Sequence, residues 1–126
     1  MYNLATSFAE RVRQDPGREC LVTGSQRLTY DDVDGQATAL AAALRDMGVE
    51  SGSRIAVDTP NCSEWVLSLL AAAKLGAAFV PLNPALGYHE LKYQLRHAEA
   101  GVALAAGSHG EADHLELYED LLGGLP

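Results

Sequence analysis

The sequence predicts an α/β fold built on a parallel βαβαβ core. Two observations lead to that class. Residues 54 to 105 alternate short, almost wholly apolar runs with longer helix-patterned ones, and the connections between them are short. Before this core, a helix pattern, a two-residue turn signal and a long amphipathic stretch give an N-terminal helix, a short hairpin and a long helix. The chain has 126 residues, enough for one domain, and 48% of them are apolar, which suits a packed interior.

Each element has a local cause. Leu4, Phe8 and Val12 recur every four residues, so residues 3–14 read as a helix. Asn3 can cap it, and Asp15-Pro16-Gly17 ends it. Residues 19–23 and 27–30 read as strands joined at Gly24-Ser25. The long helix runs from Tyr30 to Met47. Thr29 and Asp32 are spaced as a capping box, and Asp31, Asp32 and Asp34 crowd the positive end of the helix dipole. Val33, Ala37, Leu40, Ala41, Leu44 and Met47 form its buried stripe, and Gly48 is the left-handed stop.

Residues 54–58 form the first core strand. A second helix follows over 62–75, with Asn61 as cap, Glu64 as its third residue and Gly76 as stop. It is apolar almost all round and needs cover on most sides. The hairpin and helix 30–47 can shield one side, and helix 88–98 or 112–122 must shield another. Residues 77–80 read as a strand ended by Pro81. Helix 88–98 carries Tyr88, Leu91, Leu95 and Ala98 and stops near Gly101. Residues 101–105 are the last core strand. A final helix is expected over 112–122, and 123–126 as a frayed tail.

Charge removes several function classes. Seventeen acidic residues against nine basic ones give −8, with no basic cluster for a nucleic-acid backbone or anionic lipid. The most membrane-like stretch, Trp65 to Leu82, is interrupted by Lys74, Gly76 and Pro81, so no span is expected. The N-terminus lacks the apolar run of a signal peptide, and a cytoplasmic protein is expected. Two cysteines without a C-x-x-C make neither a disulfide framework nor a metal site.

Candidate chemical groups are few. Gly107-Ser108-His109-Gly110 sits where a phosphate loop would, but no G-K-[ST] follows, and Glu111 and Asp113 would repel phosphate. Asp58 ends a strand, where doubly wound folds place functional groups, yet no partner carboxylates or lysine accompany it. Cys62 lies at a helix start without a histidine partner. His89, His97, His109 and His114 include no i, i+4 pair for a metal. Asp31, Asp32 and Asp34 read as capping residues, and Trp65 as core. No catalytic, cofactor-binding or metal-ligating residue is assigned.

Five ordered stretches nevertheless resemble the N-terminal part of the AMP-forming acyl-CoA synthetases and related adenylating enzymes. They are Leu28-Thr29-Tyr30-Asp31-Asp32-Val33, Gly52 to Pro60, Asn61-Cys62-Ser63-Glu64-Trp65, Ala73 to Pro84 (A-K-L-G-A-A-F-V-P-L-N-P), and Glu90-Leu91-Lys92-Tyr93-Gln94-Leu95. The similarity covers residues 3 to about 105. Ser53, Thr59 and Ser63 depart from the family pattern at single positions. The resemblance implies one incomplete domain over 1–126. It also implies that the family's P-K-G phosphate loop, ribose-binding aspartate and catalytic lysine lie beyond the matched region. The complete enzyme would use ATP, Mg and CoA in acid activation, as in fatty acid metabolism, and this truncated chain alone would bind none of them. A second chain carrying the phosphate loop and C-terminal domain, or self-association, is the expected partner. A stand-alone scaffold or interaction module with the same fold is the alternative.

Overall fold

The computed structural model describes residues 3–59, 62–82 and 87–105. Its elements in order are α1 (Leu4–Gln14), β1 (Glu19–Thr23), β2 (Gln26–Thr29), α2 (Tyr30–Asp46), β3 (Arg54–Asp58), α3 (Ser63–Leu75), β4 (Ala78–Pro81), α4 (Tyr88–Ala98) and β5 (Val102–Ala105). The expected helix 112–122, the loop at 107–110 and the tail lie outside the described residues. All nine described elements match the expected bounds to within one residue at each end, and the small displacements come from the capping and turn chemistry described next.

Caps set the first boundaries. The Asn3 side chain accepts from the Thr6 amide at 2.9 Å and opens α1. At α2 the capping box closes in both directions: Asp32 N–H donates to Thr29 Oγ1 at 3.1 Å, and Thr29 N–H donates to the Asp32 carboxylate at 3.0 Å. This box makes Tyr30 the first helical residue, so β2 ends one residue earlier than expected. The antiparallel hairpin carries a register shift between Glu19 and Leu21.

Three helices end alike. At α2, Gly48 N–H donates to the Arg45 carbonyl and Val49 N–H to that of Leu44, both at 3.0 Å. Leu44 and Val49 share the core, which is the apolar contact this stop favours. At α3, Gly76 (φ +73°) and Ala77 bond back to Ala73 and Ala72. At α4 the same closure falls on Glu99, a non-glycine residue at φ 54°. The expectation of a stop at Gly101 is therefore corrected to Glu99. Gly101 instead donates its N–H to the Arg54 carbonyl at 3.1 Å and leads the chain into the sheet.

The parallel sheet has the order β4-β3-β5, with both neighbours parallel to the central strand. Ile55 lies opposite Phe79 and Val102 in the two registers. Period two then sorts the side chains onto two faces. Ile55 and Val57 pack with Leu44, Ala41, Ala71 and Ala72 on the α2/α3 side. Ala56 packs with Leu82, Leu91 and Leu95 on the α4 side. The result is three layers, helices on both faces of the sheet, which is why β3 reads as a continuous apolar run. A third cluster joins Leu28, Val33, Ala37, Leu67 and Leu70 and ties the hairpin and α1 to α2 and α3.

Helix α3 finds most of its cover within the chain. Of its residues only Glu64 is exposed. Its cover comes from α1, α2 and the sheet. Helix α4, expected as a second shield for α3, lies on the opposite face of the sheet. The large exposed apolar side chains among the described residues are Leu4, Val22, Met47 and Tyr93, none on α3.

A candidate groove at the carboxyl end of the sheet

The strand order determines where a groove can form. The chain leaves β3 toward β4 and returns through α4 to β5 on the other side of β3. In open α/β sheets such a change of direction leaves a crevice outside the carboxyl ends of the strands. Here a cavity of about 780 Å³ lies there. Gln36, Ala39 and Leu40 of α2 form one wall, and Leu67 and Ser68 of α3 another. Ala103 and Leu104 of β5, with Thr59 just beyond β3, complete it near the α3 N-terminus.

The lining is mostly apolar, and its polar groups are largely engaged. Ser68 Oγ donates to the Glu64 carbonyl at 2.7 Å, an i−4 bond within α3. Glu64 sits in the first turn of α3, beside Cys62, which caps that helix without a side-chain bond. The expected cap at Asn61 is thus corrected to Cys62, and Glu64 becomes the second helical residue; Asn61 itself lies outside the described residues. The Glu64 carboxylate accepts from its own backbone amide, from the Cys62 side chain and from Ser63 Oγ, which holds its pKa below the usual 4.5. Ser63 Oγ lies 3.2 Å from it. Thr59 Oγ1 is buried and has no hydrogen-bond partner among the described residues.

Asp58 is 1% exposed, so the central strand ends on a buried rather than a solvated carboxyl group. Its register partner in β5 is Ala105. The three acidic residues near the start of α2 divide their roles. Asp32 completes the capping box, Asp31 is exposed in the same turn, and Asp34 pairs with Lys74 at 2.7 Å. That ion pair is only a quarter to a third exposed and fastens α2 to α3. His89 and His97 lie on the outer face of α4, where His97 stacks on Tyr93 with ring centroids 5.7 Å apart. His109 and His114 lie outside the described residues. Trp65 is a core side chain, packed edge-on against Phe79 with centroids 5.0 Å apart. Cys20 is half-buried in the hairpin, and burial pushes its thiol pKa up.

The structure brings Thr59, Cys62 and Glu64 to one rim but does not join Asp58, His89, His97 and Cys62 into a constellation. Among the described residues no group of three or more His, Cys, Asp or Glu side chains could hold a metal ion. The described residues lining the groove include one carboxylate and no lysine or arginine. Field and lining therefore disfavour a polyphosphate and fit apolar groups.

Comparison with known proteins decides the family. The family model described as AMP-binding enzyme matches residues 8–123. The chain belongs to the AMP-binding enzyme family. Among curated relatives, the 2-hydroxy-7-methoxy-5-methyl-1-naphthoate–CoA ligase of Streptomyces carzinostaticus is 31% identical over 124 residues, covering 98% of this chain and 22% of that protein. Bacitracin synthase 3 of Bacillus licheniformis is 30% identical over 115 residues, covering 91% of this chain and 2% of that protein. The solved structure of the anthranilate CoA ligase AuaEII, in complex with anthranoyl-AMP, superposes with a TM-score of 0.87 at 30% identity, over 99% of this chain and 23% of that one. The chain thus spans about a fifth of the length of that ligase relative. Among the described residues no helix is long and apolar enough to cross a membrane.

Proposed function

We propose that this chain is the N-terminal part of an ATP-dependent acid–thiol ligase. In the whole enzyme a carboxylate would attack the α-phosphorus of ATP, forming acyl-AMP and releasing pyrophosphate. The thiol of CoA would then displace AMP and leave a thioester. The observation that carries this reading is the extent of the match: nearly the whole of this chain aligns with less than a quarter of an anthranilate CoA ligase. The described residues do not fit ATP or its Mg²⁺. Those lining the groove offer no cation to the phosphates, and no group of three or more His, Cys, Asp or Glu side chains among the described residues could hold the metal. No chemical step is therefore assigned to them, and the chain acts as a scaffold that requires the remaining fold. A cytoplasmic location belongs to the same reading.

A second reading is a stand-alone, non-catalytic scaffold of the same fold. One observation favours it: α3, the most apolar helix, finds its cover within the chain. The test is complementation. The purified chain is mixed with the product of the reading frame immediately downstream, and CoA thioester formation is followed across a panel of aryl and fatty acids. Thioester formed by the mixture and by neither component supports the split ligase. Thioester formed equally by the downstream product alone overturns it.

A further inference from the structure

We draw no further inference here: the strongest candidate, the apolar groove of about 780 Å³ between α2, α3 and β5 at the carboxyl end of the sheet, belongs to the candidate site already described, and nothing in the structure shows what covers it.

Discussion

Replacing Ile55 by alanine tests whether the β3 interior governs the stability of the fold. Ile55 is fully buried in the middle layer. It meets Phe79 and Val102 in the two registers and packs with Leu44, Ala71 and Ala72. The substitution removes three carbons, worth about 2.4 kcal/mol at ~0.8 kcal/mol per buried carbon. Its neighbours are held by a strand on each side and cannot collapse fully into the gap, so a cavity penalty of about 1 kcal/mol adds to this. The expected loss is roughly 3–4 kcal/mol, a large part of a net stability of about 5–15 kcal/mol. Ile55→Val should cost only about 1 kcal/mol. Val22, 50% exposed on the hairpin, is the control, and Val22→Ala should cost under about 0.5 kcal/mol. Trp65, the single tryptophan, lies on the same side of the sheet against Phe79 and reports unfolding by fluorescence in urea. With a slope of about 1–3 kcal/mol/M, the Ile55→Ala midpoint should fall by roughly 1–4 M. A loss below about 1 kcal/mol, or a Val22→Ala loss of equal size, would refute the three-layer packing argument.

Two further outcomes follow from the groove rim. Thr59→Val removes a buried hydroxyl that has no hydrogen-bond partner among the described residues while keeping its shape, and should stabilise the chain by about 1 kcal/mol in the same urea experiment; a destabilisation would mean that the hydroxyl has a partner. Glu64 has a folded pKa below its ordinary 4.5, so its stabilising contribution is present above that value and is lost as pH falls through the folded pKa. Comparing wild type with Glu64→Gln from pH 6 down to pH 3 should show the wild type losing an increment below pH 4.5 that the variant never had, and parallel curves would contradict the assigned hydrogen bonds.

Much of the fold was legible because its signals are local. Thr29 and Asp32 specify the start of α2 through one reciprocal pair of hydrogen bonds, and Gly48 and Gly76 stop two helices by accepting positive φ. The apolar runs at 54–58 and 77–80 announced parallel strands, and the first of them is buried because both sheet faces are covered. What stayed hidden depends on non-local geometry. Glu99 takes the left-handed conformation that composition assigned to Gly101, since the Gly101 amide is needed at Arg54. The layer occupied by α4 follows from strand order, which no residue pattern encodes. The groove was missed for the same reason. Gln36, Thr59, Ser68 and Ala103 lie far apart in the chain and meet only once β5 returns beside β3. The one local hint was Thr59, a polar residue at a position where the resemblance leads to an apolar one.

The central claim is that this chain holds the fold of an adenylating ligase's N-terminal part but not its chemistry. Acid-dependent exchange of radiolabelled pyrophosphate into ATP, measured on the rigorously purified chain with Mg²⁺ and a panel of aryl and fatty acids, tests it most directly. Among the described residues lining the groove there is no lysine or arginine to stabilise charge on a transferring phosphoryl group, and such stabilisation with positioning supplies most of the rate in this chemistry. The account predicts exchange no higher than in the absence of acid. Exchange that rises with one acid, saturates, and disappears when the chain is unfolded would contradict it.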